Sequence, residues 1–385
     1  MRRWILPEFI EDILPPEAEE LELLRRQLLD HCHRHGYVLV QPPLVEHLDS
    51  LLTGTGSDLD LRTFKMVDQM SGRLLGLRAD ITQQVARIDA HLLNRQGTVR
   101  LCYAGSVLHT RPAGLHQTRE VLQLGAELYG HAGIAADREV LRLMLSALLA
   151  IAVPCTHLDL GHVGVFRALA AAAALGPEQT SDLTAAMVAK DLPEVDALVA
   201  ALPEPWRGAL ASLPRRFGDA SEVLAAAARE LPALPEIARA LDELRVLAAA
   251  GEPLVEDQQI DLADLRGLNY HTGAVFAAYT RGEASAIAKG GRYDDIGRAF
   301  GRARPATGFT LYLRQLAGLL PAAALPRAIL APDDDDPPLQ ALVAQLRQQG
   351  EAVVLDLGDQ GSTDDLPAFD RRIVRGHAGW QVESA

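Results

Sequence analysis

The segment spanning residues 100–130, RLCYAGSVLHTRPAGLHQTREVLQLGAELYG, constrains the fold more than any other stretch of the 385-residue chain. Its ends, residues 101–107 and 120–128, carry the apolar and β-favouring side chains of half-buried strands, with a polar loop between them. A loop of that size orders about a dozen residues without adding core. It therefore either covers a ligand or forms the tip of a long exposed hairpin.

The chain is long enough for two or three domains with sizeable cores. Apolar residues make up 48% and charged residues 23%, the balance of a soluble globular protein. Against 37 Lys and Arg stand 51 Asp and Glu, a net charge of −14, and no predicted helix carries a dense basic stripe. Polyanion binding needs many phosphate-neutralising cations, so nucleic acid is not an expected partner. Cys32, Cys102 and Cys155 form no Cys-x-x-Cys pair and suit buried thiols in a reducing compartment. No apolar run reaches the length of a signal peptide or membrane span. The expected location is the cytoplasm, with no membrane partner.

In chain order, residues 16–35 read as an amphipathic helix stopped by Gly36. The HCHRH run that ends it, from His31 to His35, points its histidines in different directions and predicts no metal site. GYVLVQPPLVEHLDSLL follows, a strand with a double proline at Pro42 and Pro43, which places it at a sheet edge or bend and makes it a candidate subunit contact. TGTGSDLD, residues 53–60, matches neither a phosphate loop nor a dinucleotide fingerprint and reads as a mobile loop. A strand ending near Arg78 runs into a helix from about Ile81, with Asp80 in the capping position. Residues 134–151 form an apolar helix, followed by a strand at 157–160.

Residues 165–251 shift to alanine, leucine, glutamate and arginine with no good strand, a helical insertion. Strands return within 258–280 and at 284–288, GGRYDDI follows, and a helix is expected over 305–320. The remainder reads as a small β-α-β unit with a final strand pair around Ile373 and Trp380. Asp333 to Asp336 read as a solvated loop rather than a cation site. The expected domains are a core of residues 1–164 and 252–322, the insertion 165–251, and a C-terminal α/β unit 323–385.

These pieces resemble the catalytic core of a class II aminoacyl-tRNA synthetase, most closely histidyl-tRNA synthetase, over roughly residues 5 to 320. GYVLVQPPLVE resembles the family's first motif, with Pro43 at its proline, and the resemblance implies a dimer through that region. The hairpin resembles the second motif, LRGLNYHTG the histidine-specific signature Arg-Gly-Leu-Asp-Tyr-Tyr, and GGRYDD the approach to the third motif. The fold implied is α+β, an antiparallel sheet flanked by helices, with the helical insertion and the small C-terminal α/β unit attached.

The chemistry departs from that family. Amino-acid activation spreads negative charge over the α-phosphate of ATP, which fixed guanidinium groups must meet. The second motif's Phe-Arg-x-Glu reads here Leu108, His109, Thr110, Arg111, so the phosphate arginine is His109 and the adenine-binding glutamate is Arg111. The third motif's Gly-Leu-Glu-Arg reads Tyr312, Leu313, Arg314, Gln315, so the second arginine is Gln315. Losing one buried charge partner costs about 2–5 kcal/mol. Several such losses, even discounted for non-additivity, leave too little of the roughly 8 kcal/mol or more that catalysis must supply.

Positions resembling the histidine pocket are partly kept: Asp80, Thr82, Gln123, Glu127, Arg266 and Tyr270 match the family's residues, whereas Asn269 and His271 depart from it. Such a set holds an amino acid, or else persists as a vestigial pocket held by internal hydrogen bonds. A histidyl-tRNA synthetase paralogue with these losses resembles the regulatory-subunit family of the short-form ATP phosphoribosyltransferase. That resemblance implies no catalytic residue, no cofactor and no metal in this chain, a separate catalytic subunit as hetero-oligomeric partner, self-association as a dimer, and histidine as effector of the first step of histidine biosynthesis. Two other functions compete with it, a divergent class II ligase that activates an amino acid for a non-tRNA acceptor and a stand-alone histidine sensor.

Overall fold

The computed structural model describes residues 5–53, 57–112, 114, 118–268, 270–321, 327–358, 367–377 and 379–384. The chain forms two compact units, one comprising residues 1–12 and Leu21–Leu320, the other Ile13–Glu20 with residues 321–385. The inclusion of Ile13–Glu20 in the second unit is not foreshadowed by the composition of that stretch.

The regular structure begins with α1 (Glu17–Arg34), whose first residues belong to the second unit, and continues in the first with β1 (Val38–Leu39), β2 (Val45–His47), α2 (Leu48–Leu51), α3 (Ser57–Arg62), β3 (Phe64–Val67), β4 (Leu74–Leu77) and α4 (Thr82–Arg87). Leu21, Leu24, Leu28 and Cys32 form the buried stripe of α1. His31 and His35 stack at 4.5 Å, and His31 Nε2 sits 2.9 Å from Ser146 Oγ. The hairpin strands are β5 (Val99–Leu108) and β6 (Glu120–Tyr129), ten residues each and paired in register from Val99↔Tyr129 to Leu108↔Glu120. After them come α5 (Ile134–Ala150), β7 (His157–His162) and α6 (Val163–Ala172).

The insertion holds α7 (Pro177–Val188), α8 (Leu192–Val199), α9 (Trp206–Ser212), β8 (Phe217–Asp219), α10 (Ala220–Glu230) and α11 (Pro235–Gly251). The chain then returns through β9 (Gln258–Asp261), β10 (Ala274–Tyr279), β11 (Ala288–Arg292), β12 (Ala306–Tyr312) and α12 (Leu313–Ala317). Among the described residues, nine strands form the central sheet in the order β1-β5-β6-β12-β11-β10-β7-β9-β8. Pairing is antiparallel except at β1/β5 and β7/β9. A separate three-stranded sheet runs β2-β4-β3.

One face of the central sheet is closed by α5 and α11, which pack on each other and on the strands. Leu124, Leu158, Leu160, Phe276, Phe309 and Leu311 are buried there, with Val140, Leu141, Met144, Leu148, Leu241 and Leu244 from the helices. Asp137 on α5 receives Arg292 from the end of β11 in a buried ion pair of 2.6 Å.

Four expectations are corrected. Residues 57–60 of the glycine-containing stretch are helical, within α3, while residues 54–56 lie outside the described residues. The expected helix 305–320 is β12 followed by the short α12: ATGFTLY sits between β6 and β11, where pairing on both edges and burial override local preference. The strand placed at 284–288 is displaced to Ala288–Arg292, because Gly290 is a strand residue. A Cβ there would lie 2.3 Å from the Phe276 ring and 2.4 Å from Gly308 O, so the Gly-Gly pair marks close packing rather than a turn. The insertion contributes one strand, β8, too short for periodicity to reveal, which pairs with β9.

The second unit has β13 (Ala328–Pro332), α13 (Pro337–Gln348), β14 (Val353–Asp356), β15 (Phe369–Gly376) and β16 (Gly379–Ser384), with sheet order β14-β13-β15-β16. Ile329, Ala331, Leu339, Val343, Val353 and Ile373 form its core. Asp333, Asp334 and Asp335 are exposed, and Asp336 accepts a 2.7 Å hydrogen bond from Trp380 Nε1. Among the described residues of the chain, no helix is long and apolar enough to cross a membrane.

Candidate functional site

Strand side chains alternate between faces, and the face of the central sheet opposite α5 and α11 floors a cavity of about 1260 Å³. Register sets which residues share that floor. Gln123 and Glu127 of β6 lie opposite Tyr312 and Gly308 of β12, while Thr310 and Gly308 lie opposite Lys289 and Gly291 of β11. Asp80 and Thr82 enter from the start of α4, Arg266, Tyr270 and His271 from the connection between β9 and β10, and Thr180, Ser181 and Thr184 from α7. The six residues expected to hold an amino acid all line this one cavity.

Asp80 does both things its position allows. Its Oδ1 accepts from Thr82 N at 2.8 Å, steadying the first turn of α4, and its Oδ2 accepts from Gln123 Nε2 at 3.2 Å. The residue at the N-cap position itself is Ile81, which has no capping side chain, so the expected cap is displaced by one residue. Arg78, just before it, is buried and donates to Ser106 O and Pro42 O, both at 2.8 Å, tying the double-proline segment to β5.

Tyr103 of β5 organises the inner end. Its hydroxyl donates to Glu127 Oε1 at 3.3 Å and lies 3.0 Å from Thr310 Oγ1 and 3.3 Å from Thr82 Oγ1. Two glycines make this possible. A Cβ at Gly125 would lie 2.3 Å from the Tyr103 hydroxyl, and one at Gly308 would lie 1.5 Å from Glu127 Oε2. Glu127 is 1% exposed. Burial, followed by the charge of Asp80, pushes its carboxyl well above the usual carboxylate range.

Tyr270 stacks on Tyr293 with centroids 5.0 Å apart, and its phenol pKa is pushed up by burial and then by Glu127. His271 meets Tyr270 edge-on at 5.2 Å; burial lowers its pKa to about 4, so the ring is neutral, and Nδ1–H donates to Arg292 O at 3.3 Å. Glu127 Oε2, Gln123 Oε1 and the hydroxyls of Tyr270 and Tyr293 are buried with no hydrogen-bond partner among the described residues. Buried polar groups left unmatched are costly, and four of them lie around this one cavity.

Arg266 lines the cavity but is not drawn to its inner end. Its guanidinium is held by Asp264 through two 2.8 Å bonds, reaches the Tyr279 hydroxyl at 3.5 Å and is half exposed. Asn269 lies outside the described residues.

The three positions matched to the synthetase ATP motifs hold His109, Arg111 and Gln315. His109 is buried and its Nε2–H donates to Ala79 O at 2.9 Å. Arg111 is exposed beyond the end of β5. Gln315 donates its amide to Glu283 Oε2 at 2.7 Å and Ser285 Oγ at 2.9 Å. Tyr312 occupies the cavity floor, its phenol pushed up to about 12 by burial.

Tyr103, Tyr293, Thr310 and Lys289 belong to the site and were not singled out by sequence. The available signal was the repeated glycine opposite a bulky polar residue, Gly125 against Tyr103 and Gly308 against Glu127, which requires the strand register to be read.

Two family models divide the chain. Histidyl-tRNA synthetase matches residues 9–316, and the ATP phosphoribosyltransferase subunit HisZ C-terminal domain matches residues 326–383. The ATP phosphoribosyltransferase regulatory subunit of Ralstonia nicotianae is 55% identical over 386 residues, covering 100% of this chain and 98% of its own. The chain belongs to the ATP phosphoribosyltransferase regulatory-subunit family. The family's protein from Burkholderia cenocepacia is also 55% identical, over 383 residues and 100% of both chains. Among solved structures, an ATP phosphoribosyltransferase regulatory subunit/histidyl-tRNA synthetase from Bacillus halodurans superposes with a TM-score of 0.81 at 27% identity, covering 94% of this chain and 95% of that one. Histidyl-tRNA synthetase from Nostoc shares the fold, with a TM-score of 0.77 at 18% identity over 99% of this chain and 97% of its own.

Proposed function

We propose that this chain binds histidine in the cavity over β6, β12 and β11 and conveys its presence to a separate ATP phosphoribosyltransferase catalytic subunit. By family it is a non-catalytic regulatory subunit of that enzyme in histidine biosynthesis. The observation that carries the histidine reading is the inner end of the cavity. The Asp80 and Glu127 carboxyls, the open Gln123 Oε1 and two open tyrosine hydroxyls suit an ammonium and an imidazole, while the ATP-clamping positions hold His109, Arg111 and Gln315.

Regulation requires a coupling free energy: histidine must favour one state of the assembly over another, and the partner's activity must differ between those states. Self-association through the Pro43 region is part of the same proposal. β1 is the edge strand of the central sheet, and its Val38 and Leu39 are 59% and 51% exposed, beside exposed Leu44 and Val45. Apolar side chains on an open sheet edge suit a second copy of the chain. The three buried free cysteines support a reducing, cytoplasmic setting for the assembly.

The test is reconstitution with a short-form catalytic subunit from the same cell. Phosphoribosyl-ATP formation should rise when this chain is added and fall again when histidine is supplied. Separate elution of the two proteins with no change in rate would overturn the proposal. ATP consumption by this chain alone with an amino acid would instead establish the ligase.

A further inference from the structure

One wall of the cavity is α7, and that helix takes its support from elsewhere. Leu183, Ala186 and Met187 are buried on one side of it. Its packing neighbours are α8 and the turn Leu213–Arg215, both of the insertion. Another side, with Thr180, Ser181, Thr184, Ala185 and Val188 at helical spacing, lines the cavity. Ser181, Ala185 and Val188 are exposed there, Val188 by 41%. None of the five is ionisable, whereas Glu178 and Asp182, the acidic residues of α7, are exposed and stand outside the cavity lining. A helix face without charge can lie against a ligand without desolvating an ion.

The cavity as it stands is wide for one amino acid. Its volume is about 1260 Å³, above the roughly 300–1,000 Å³ of pockets that bury about 70–90% of a drug-sized ligand. An amino acid is smaller still, so enclosing it to that degree requires a wall to move inward. The chain reverses sharply on either side of α7, with Ala174 (φ 55°) closing α6 and Lys190 (φ 54°) closing α7. Residues at element ends are the ones that absorb hinge motion.

The C-terminal end of α7 carries a tether. Lys190 Nζ lies 2.6 Å from Asp261 Oδ2 and 5.2 Å from the centroid of the Phe217 ring. Asp261 ends β9, and its Oδ1 accepts from Ala263 N at 2.9 Å, opening the connection that carries Arg266, Tyr270 and His271. Arg167 of α6 grips the same connection further along, donating to Leu268 O at 2.5 Å. Beside the tether is a hollow of about 250 Å³ lined by Val188, Lys190, Asp261 and Arg266. An ion pair next to open space, rather than close packing, holds this end of the helix.

We propose that α7 is a lid that closes over the bound amino acid, tethered through Lys190 and Asp261 to the connection on which Tyr270 and His271 sit. The proposal rests on the reading above that the cavity binds histidine. Closure sets the uncharged side of α7, with Thr180, Thr184 and Val188, against the ligand. It also turns occupancy of the cavity into a displacement of the insertion relative to the sheet, which is a change a partner subunit can sense.

The experiment is hydrogen exchange by mass spectrometry on the full chain, with and without saturating L-histidine, beside calorimetric titration. Histidine should slow exchange of the α7 amides by about tenfold, while those of α13 in the second unit change by less than about twofold. Thr184→Trp should weaken histidine binding about tenfold or more, because the ring props the lid open. A fixed wall of so wide a cavity would instead take the ring and leave affinity within about threefold. Lys190→Met should raise ligand-free exchange in α7 by about threefold with the urea midpoint unchanged, the scale of a part-exposed ion pair. Histidine bound with α7 exchange unchanged, or bound by Thr184→Trp as by wild type, would overturn the lid. If calorimetry detects no histidine binding, the histidine reading fails by itself and the ligand-free exchange decides the lid. Unchanged α7 exchange in Lys190→Met then overturns it, and the rise supports it.

Discussion

Replacing Gly308 by alanine puts a methyl group where the cavity floor has no room for one. On the observed backbone the new Cβ would lie 1.5 Å from Glu127 Oε2, 2.5 Å from its Cδ and 2.6 Å from the Tyr293 hydroxyl. Gly308 is in the middle of β12, paired to β6 and β11, so the backbone cannot retreat and the Glu127 carboxyl must move. Overpacking of this kind costs about 1–3 kcal/mol. Loss of the Tyr103–Glu127 hydrogen bond adds about 0.5–1.5 kcal/mol, for a fall in unfolding free energy of roughly 2–4 kcal/mol. Histidine binding should suffer separately, since displacing the Glu127 carboxyl removes a hydrogen-bond partner for a charged ligand group, worth about 1.5–3 kcal/mol, a loss of roughly 10-fold or more in affinity. Urea unfolding and calorimetric titration with L-histidine read the two effects. In a Glu127→Ala background the same glycine substitution should cost much less, leaving only the Tyr293 contact to relieve. A Gly308→Ala protein with wild-type stability and histidine affinity within about threefold would refute both the packing argument and the placement of histidine.

Asp137→Ala removes the nearer carboxylate from the buried Arg292 guanidinium, which keeps Asp294 at 3.1 Å, and should lower stability by about 1.5–3 kcal/mol in urea unfolding, with partial recovery in the Asp137→Ala, Arg292→Met double variant. Glu127→Gln tests the raised carboxyl pKa. Because the folded pKa lies above the unfolded one, the folded state keeps a proton the unfolded state has lost, and stability declines as pH rises from the unfolded value toward the folded one. The stability of Glu127→Gln relative to wild type should therefore climb as pH rises above the ordinary carboxylate range, and a difference that stays constant with pH would contradict the assignment. Val38→Glu with Leu39→Glu places charge on the open edge of the central sheet; light scattering after size exclusion should show the monomer mass, and an unchanged dimer would move the self-contact elsewhere.

Much of this protein was legible from residue order. The hairpin strands announced themselves by their β-favouring ends, α5 by its apolar composition and Gly36 by its place after α1, because these signals act over neighbouring residues. The altered positions His109, Arg111 and Gln315 were readable for the same reason, since a missing guanidinium is a matter of residue identity. The six pocket residues line one cavity, with Arg266 committed to Asp264 rather than to the inner end.

What residue order could not decide depends on pairing across the sheet. β12 read as helix because its burial comes from β6 and β11 on either side, neither of which is its neighbour in sequence. The strand placed at 284–288 is Ala288–Arg292 instead, because the Phe276 ring that Gly290 packs against lies on another strand. Tyr103, Tyr293 and Lys289 joined the site only when register put them on the same face as Glu127. The sequence by itself determined which chemical groups the chain possesses and which synthetase groups it has lost. Tertiary structure alone decided which of them share a cavity, because long-range strand register sets side-chain direction and burial sets their protonation.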